Sequence, residues 1–133
     1  MELTSGGRVL TTGGRVLVGV YAVFAVAAGA RSTVQMLTKF GDAPLAYLLS
    51  FGAAVVYCVA TLALRRTSSR AYRVAVAACS VELVGVVAVG TLSLARSDLF
   101  PDQTVWSDYG QGYGYVPLVL PVIGLTWLAR RAR

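Results

Sequence analysis

The stretch that decides the fold is residues 74–94, VAVAACSVELVGVVAVGTLSL. It is an apolar run with one carboxylate, Glu82, inside it. The hydrocarbon core of a bilayer is about 30 Å thick, and roughly 20 apolar residues of helix are needed to cross it. The run therefore predicts a membrane-spanning helix. An ionisable side chain inside such a helix is costly and by default indicates function, so Glu82 is the first candidate functional residue.

The composition of the whole chain also indicates a membrane protein. Of its 133 residues, 56% are hydrophobic and only 14% are charged, whereas soluble domains are about 25% charged. A chain of this length forms one domain. It has eleven arginines but a single lysine, no asparagine and one isoleucine. This usage is typical of a GC-rich genome, and we therefore expect the plasma membrane of a high-GC bacterium.

Three further apolar segments accompany this run, so the predicted fold is all-α, a membrane-spanning four-helix bundle in a single domain. Gly41 is suited to end the first helix, and Pro44 falls in the first turn of the second, where its missing N–H costs nothing. The last segment reaches about 17 residues, the low end for a span, only if residues 113–115 are included. The predicted helices are about 16–37, 45–64, 74–94 and 113–129, with an extracytoplasmic loop at 96–112.

The distribution of positive charge predicts the orientation. With both termini in the cytoplasm, nine basic residues fall on the inner side and three on the outer side, a strong positive-inside bias. The same bias accounts for the net charge of +6, so we expect the bilayer and not nucleic acid as the partner. The inner residues are Arg8, Arg15, Arg65, Arg66, Arg70, Arg73, Arg130, Arg131 and Arg133, and the outer ones are Arg31, Lys39 and Arg96.

The first two segments each carry a further pattern. The small residues at 28–30 imitate a signal-peptide cleavage site. We favour one uncleaved helix that continues through Arg31, because the apolar run leads on into a helix-compatible stretch. In the second segment Ala46, Ser50, Ala54 and Cys58 recur at every fourth position. Such a stripe of small residues predicts close packing against a neighbouring helix.

The loop at 96–112 is the longest and most polar connection, and we expect it on the outer side. Its aromatic residues are typical of an interfacial belt, while its length also fits a surface that binds a ligand or partner. Three aspartates suggest a hard cation, but their spacing matches no loop motif. The candidate surface residues are Asp98, Asp102, Trp106, Asp108, Tyr109 and Tyr113.

The motifs of soluble enzymes are missing from the sequence. It has no histidine, the commonest metal ligand and general base. Cys58 and Cys79 do not form a C-x-x-C pair, and no Gly-rich phosphate motif is present. We therefore expect no enzymatic activity, no metal and no cofactor.

Counting residues along the helices predicts which side chains lie at the depth of Glu82. At 1.5 Å per residue, Glu82 is roughly 12 Å from the inner surface, with Tyr57, Cys58 and Cys79 at about 8 to 10 Å. Arg31 lies too far outward to pair with it and is expected to extend to the outer interface. We therefore expect a neutral Glu82 carboxyl, hydrogen-bonded to Tyr57 or to a backbone carbonyl, in a site formed with Tyr57 and Cys79. The site serves as interhelical contact, as a proton or cation exchange site, or as a contact to a partner's helix.

Two phrases carry a family resemblance, KFGDAPLAYLLS at 39–50 and WSDYGQGYGYVPLVLP at 106–121. They resemble small uncharacterised four-helix integral membrane proteins of actinobacteria. The four-helix layout, with Gly-Arg-Val-Leu leading into the first span, is also similar to that of the DoxX-like membrane proteins. These resemblances imply a location and a topology, not an activity.

The sequence favours three functions, in decreasing order. The first is an interaction or assembly subunit, which binds a membrane-protein partner or a second copy through its helices and its outer loop. The second is a small proton-coupled transporter that uses Glu82. The third is a membrane enzyme acting on lipids, with the three aspartates of the loop as its only candidate acids.

Overall fold

The computed structural model describes residues 12–131, and the side chains of residues 13–130. This part of the chain contains four α-helices and no strand. Arg8 and Arg133, which enter the predicted charge bias, lie outside the described residues. The helices are α1 (Thr12–Lys39), α2 (Pro44–Leu64), α3 (Ser69–Ala95) and α4 (Val116–Arg131), with short 3-10 turns at Phe40–Asp42, Ser97–Leu99 and Ser107–Tyr113.

Each helix packs against the next along the chain, and α4 also contacts α1, which closes the bundle. Because consecutive helices run in opposite directions, the bundle has two chemically different ends. One carries the α2–α3 turn, and we call it the arginine end. The other carries the α1–α2 turn and the α3–α4 connection (residues 96–115), and we call it the aspartate end. The arginine end holds Arg15, Arg65, Arg66, Arg70, Arg73 and Arg130, and the aspartate end holds Asp42, Asp98, Asp102 and Asp108.

The helix bounds follow local capping chemistry. α2 begins at Pro44, in the first helical turn, where proline is favoured because its N–H would be unpaired anyway. α3 begins at Ser69, five residues before the predicted start at 74. The reason is an N-terminal helix cap that the apolar run does not reveal. The Ser68 hydroxyl accepts a hydrogen bond of 3.1 Å from the Ala71 amide. α1 continues without a break through residues 28–31, and its retention without cleavage stays a prediction.

The predicted start of the last helix at residue 113 is wrong. α4 begins at Val116, because Gly114 (φ 64°) and Tyr115 (φ 61°) are both left-handed and cannot continue a helix. The 3-10 segment before it meets α4 at an angle of 97°. α4 is therefore a helix of 16 residues, preceded by a sharp bend.

Small residues line the contact between α1 and α2, as the stripe predicts, except at its last member. Ala46, Ser50 and Ala54 are buried, and a Cβ added at Gly29 of α1 would lie 3.8 Å from the Ala54 Cβ. Cys58 is exposed, so its predicted place in the packed stripe is wrong. Steps of four residues drift by about 40° each around a helix of 3.6 residues per turn, so the fourth member leaves the interface.

The helices have the length and apolarity that a membrane requires. Within residues 12–131, three helical segments are long and apolar enough to cross a bilayer, and a fourth is added if the bent pair at 107–113 and 116–130 counts as one span. Many large apolar side chains point away from the bundle, among them Val26, Leu37, Val84 and Leu94. In a membrane this outer surface faces lipid tails.

Candidate functional site

Glu82 lies in the middle of α3 and is fully buried, with 0% exposure. The hydroxyl of Tyr21, from α1 on the opposite side of the bundle, donates a hydrogen bond of 2.6 Å to Glu82 Oε1. The same hydroxyl is 3.5 Å from the Cys79 Sγ. Glu82 Oε2 is a buried oxygen with no hydrogen-bond partner among the described residues. Tyr21, Cys79 and Glu82 form what we call the Glu82 cluster.

The helix α4 closes the Glu82 cluster from a third direction. A Cβ added at Gly124 would lie 2.9 Å from the Cys79 Sγ and 3.4 Å from the Tyr21 hydroxyl. Real Cβ atoms do not make contacts this close, so the position requires glycine for α4 to approach. Cys79 is placed next to Glu82 by its spacing of three residues along the helix. The cluster is therefore packed tightly by three helices.

Tyr57 is buried close to the Glu82 cluster, but it is not the hydrogen-bond partner that the sequence predicts for Glu82. Its hydroxyl accepts a bond of 2.9 Å from the indole Nε1 of Trp106. Its ring lies 6.2 Å, centroid to centroid, from the ring of Tyr21. The partner of Glu82 is Tyr21, because the first helix supplies a hydroxyl at nearly the same depth. Tyr57 thus joins the Glu82 cluster to the α3–α4 connection through aromatic contact.

Trp106 inserts into the bundle, and its predicted place in an interfacial belt is therefore wrong. Only 6% of the surface of Trp106 is exposed. The ring packs closely against α3 at Gly85, where an added Cβ would be 2.5 Å from the Trp106 Cζ3. The ring of Tyr109 covers Gly90, further along the same helix. Two glycines of α3 therefore provide the space in which two aromatic side chains of the connection dock.

The backbone of the α3–α4 connection is shaped by local hydrogen bonds and by left-handed residues. The Ser107 hydroxyl accepts a bond of 2.9 Å from the Thr104 amide, in a tight turn around Trp106. Asp108 (φ 51°) and Tyr109 (φ 60°) are left-handed, which costs of order 1 kcal/mol for each non-glycine residue. The buried aromatic and polar contacts of the connection offset this cost, so residues 104–110 pack as a folded cap on the bundle.

The three candidate aspartates lie in the connection, but each has a different partner. The Arg96 guanidinium donates two hydrogen bonds, each of 3.0 Å, to the Asp98 carboxylate. Asp108 accepts from the Ser93 hydroxyl at 3.4 Å. Asp102 accepts from the Tyr47 hydroxyl at 3.0 Å. Within residues 12–131, no group of three or more His, Cys, Asp or Glu side chains is close enough to hold a metal ion.

The pKa values of two of these carboxyls reflect their partners. The hydrogen bonds and positive charge of Arg96 hold the pKa of Asp98 below its ordinary value. For Asp102, partial burial acts to raise the pKa. It is outweighed by hydrogen bonds from the Tyr47 hydroxyl and the Gln103 amide together with the Lys39 ammonium, 3.5 Å away, so the pKa is lowered. Both carboxylates are therefore charged at neutral pH, and Asp102 joins the connection to Lys39 of α1 and Tyr47 of α2.

Tyr113 and Arg31 meet at the aspartate end. Arg31 is exposed there, as predicted from its depth, and its Nη1 donates a bond of 2.9 Å to the Tyr113 hydroxyl. The Tyr113 ring also lies 5.7 Å from the ring of Phe24. The two candidate regions are thus linked by aromatic contacts that run from Tyr21 to Tyr57, Phe24 and Tyr113 in turn, with Trp106 joining at Tyr57.

The sequence reasoning missed Tyr21 and the inserted position of Trp106. Tyr21 is the only hydroxyl-bearing residue of the apolar run at 16–30. The depth count used for Glu82 places it about 8 Å from the inner surface, counted from residue 16. Applying the count to the first helix would have found it. Gly85 and Gly90 were a weaker signal, because a glycine in a membrane helix also accommodates a neighbouring helix.

Comparison of the chain with protein-family models, with curated proteins and with solved structures gave no significant match. The function must therefore be argued from the arrangement of the residues described above.

Proposed function

We propose that the chain is a multi-pass protein of a bacterial plasma membrane that crosses the bilayer four times, with both termini in the cytoplasm, and acts as an interaction or assembly subunit. The charge distribution supports this orientation, because the arginine end corresponds to the cytoplasmic side under the positive-inside rule. An origin among the small four-helix membrane proteins of actinobacteria, similar in layout to DoxX-like proteins, remains part of the same proposal.

The fourth crossing depends on the α3–α4 connection. α4 has 16 residues and so spans about 24 Å at 1.5 Å per residue, less than the hydrocarbon core. The bent segment at 107–113 packs against α3 and α4. Ser107 and Gly110 of this segment are buried, and irregular backbone that packs against protein is tolerated at membrane depth. The connection then completes the span on the outer side.

The observation that supports the role of an interaction subunit is a shallow, open apolar groove of about 610 Å³, formed by side chains of the outer half of α3 alone. Val84 and Val87 on this surface are exposed. Ala88 contributes a small side chain, which allows close approach of a partner helix in lipid. The buried Glu82 cluster, in contrast, connects helices within the chain. The groove is lined by Leu83, Val84, Val87, Ala88, Thr91, Leu92 and Ala95.

The test is purification in mild detergent with substitutions in this groove. We expect a stoichiometric membrane-protein partner, or a second copy of the chain, to co-purify with the unmodified protein. Ala88→Trp fills the groove and should release that partner, while Val26→Trp on the exposed face of α1 should retain it. Repeated recovery of the chain alone, or equal loss in both variants, would refute the proposal.

A second candidate function is proton-coupled transport through Glu82. It is favoured by one observation, the buried Glu82 Oε2 that lacks a hydrogen-bond partner within residues 12–131. Ionisable side chains inside membrane helices mark proton pathways in many transporters, and a carboxyl of this kind can bind and release a proton. Glu82→Gln should then abolish pH-driven flux in proteoliposomes, with the exposed Asp98→Asn as the matched control. Flux that is unchanged in Glu82→Gln would exclude this candidate.

A further inference from the structure

On its arginine side, the Glu82 cluster is closed by an apolar layer that belongs entirely to the four helices. Each helix contributes one buried residue about one turn from the cluster, and none of these side chains can carry a proton. The neighbouring Thr61 hydroxyl donates to the Tyr57 carbonyl at 2.7 Å, within its own helix. Water can pass this layer only if the helices separate. Its members are Leu17, Ala60, Ala75 and Leu128, which are between 0% and 5% exposed.

On the aspartate side, the corresponding layer is completed by the indole of Trp106, which the α3–α4 connection supplies and not a helix. The ring occupies the space beside Gly85, one helical turn from Glu82, and its Nε1 donates to the Tyr57 hydroxyl at 2.9 Å. A side chain on a connection can move while the helices stay packed, because local opening breaks fewer contacts than helix separation. The helical members of this layer are Ala25, Ala53, Val86 and Leu120.

The surroundings of Trp106 are polar on the side away from the Glu82 cluster. The Thr104 hydroxyl accepts a bond of 3.0 Å from the Trp106 amide and lies 3.1 Å from the Ser107 hydroxyl. Asp102 fastens the connection to α1 and α2 through part-exposed polar contacts. Water that enters beside the indole therefore meets hydrogen-bonding groups, which an internal water molecule requires.

We propose that protons reach the Glu82 cluster from the aspartate end only, through an opening that forms when the Trp106 indole moves away from α3. Their destination is Glu82 Oε2, the buried oxygen without a hydrogen-bond partner within residues 12–131. The inference rests on the second candidate function, in which Glu82 binds a proton, and adds the side from which that proton comes. The other ionisable side chains around Glu82 are those of Tyr21 in α1, Tyr57 in α2 and Cys79 in α3, while α4 approaches with Gly124.

The experiment measures the labelling of Cys79, the neighbour of Glu82 in the cluster, in sealed membrane vesicles of both orientations. Cys58→Ser leaves Cys79 as the single cysteine. A charged methanethiosulfonate reagent, which does not cross the bilayer, is added to one side. Because the reagent reacts with the thiolate, the rate reports the access of both water and protons. Asp98→Cys and Ser69→Cys, each in a chain without other cysteines, identify the side on which each end of the bundle lies.

We expect labelling from the aspartate end only, at a rate that falls when the pH on that side is lowered and ignores the pH on the other side. Trp106→Phe removes the donor to Tyr57 and should raise the rate about fivefold, the effect of one lost hydrogen bond on the opening. Trp106→Ala removes the whole ring and should raise it about a hundredfold. Trp127→Ala is the matched control, because it removes an indole from the outer surface of α4, and it should leave the rate unchanged.

Labelling from the arginine end, or a rate that follows the pH on that side, would overturn the inference. So would a rate in Trp106→Phe no higher than that in Trp127→Ala, and this comparison decides the matter even where Trp106→Ala does not fold. Labelling of Asp98→Cys and Ser69→Cys from the same side contradicts the proposed membrane crossing instead. Unchanged flux in Glu82→Gln excludes transport and leaves the route in place, whereas labelling from the wrong side contradicts the route alone.

Discussion

At the residue scale, the most informative contact is the one between Tyr21 and Glu82. Tyr21→Phe keeps the ring and its packing but removes the donor to Glu82 Oε1. We expect the free energy of unfolding to fall by about 1–3 kcal/mol, because a buried carboxyl oxygen is left without its partner. The measurement is reversible unfolding in detergent micelles, followed by circular dichroism.

Tyr115→Phe is the control for this change, since the Tyr115 ring is about half exposed and its hydroxyl can be hydrated. Its stability should match that of the unmodified protein. If Tyr21→Phe were as stable as Tyr115→Phe, the hydrogen bond to Glu82 would not stabilise the bundle.

The residues of the Glu82 cluster show what sequence reasoning can and cannot locate. Cys79 and Glu82 share a face of one helix, and their proximity follows from helical spacing alone. Tyr21 and Tyr57 lie on other helices at similar depths, and which of them reaches Glu82 depends on helix rotation. Depth counting carries no information about rotation, so it named Tyr57 where the structure has Tyr21.

At the scale of elements, the docking of the α3–α4 connection depends on two glycines of α3. Gly85→Ala places a Cβ against the Trp106 ring, so we expect the indole to be displaced and the free energy of unfolding to fall by about 1–3 kcal/mol. In a Trp127→Phe background, the emission of Trp106 should shift to longer wavelength as the indole meets a more polar environment.

Gly52→Ala is the matched control in α2, where an added Cβ would meet nothing within 4 Å. Replacing glycine by alanine inside a helix should raise stability by about 0.5–1 kcal/mol. The two variants therefore change stability in opposite directions. An equal gain in both would show that the Trp106 ring does not lie against α3.

The connection is also predicted to loosen at acidic pH. The pKa values of Asp98 and Asp102 are below their ordinary values in the folded chain. A carboxyl with a lowered pKa contributes stability above its unfolded-state value, about 3.9, and loses that contribution as pH falls through its folded-state value. The connection should stay docked at neutral pH and loosen below about pH 4.

Emission of Trp106 in the Trp127→Phe background, titrated from neutral to acidic pH, reports this change. Asp102→Asn removes the charge that Lys39 pairs with. In this variant the emission of Trp106 should already be shifted at neutral pH and should vary less in the acidic range. A titration identical to that of the unmodified protein would show that the Asp102 contacts do not hold the connection.

The elements could be predicted to the extent that local chemistry determines them. Apolar run length indicated the four helices, and Pro44 marked the start of α2. The α3–α4 connection could not be predicted, because its course depends on how the Trp106 ring meets Gly85 on another part of the chain. A pattern of Gly, Tyr and Trp in a polar loop fits an exposed belt and a buried cap equally well.

At the scale of the whole molecule, the separation of charge between the two ends is the dominant feature. Arginines cluster where the α2–α3 turn lies, while the aspartates surround the opposite end. The sequence predicted this polarity because basic residues flank the apolar runs, and the antiparallel order of the helices brings them together. The proposed orientation depends on this polarity.

Replacing Arg65, Arg66, Arg70 and Arg73 together by glutamine tests how far this charge determines the orientation. The positive-inside bias of nine against three falls to five against three, so we expect a mixed population of orientations in place of one. A reporter fused to the C-terminus, active only on one side of the membrane, measures the proportions. Arg130→Gln is the control, because it leaves eight against three and should keep a single orientation. A quadruple variant that keeps one orientation as uniformly as the control would show that the four arginines do not set the topology.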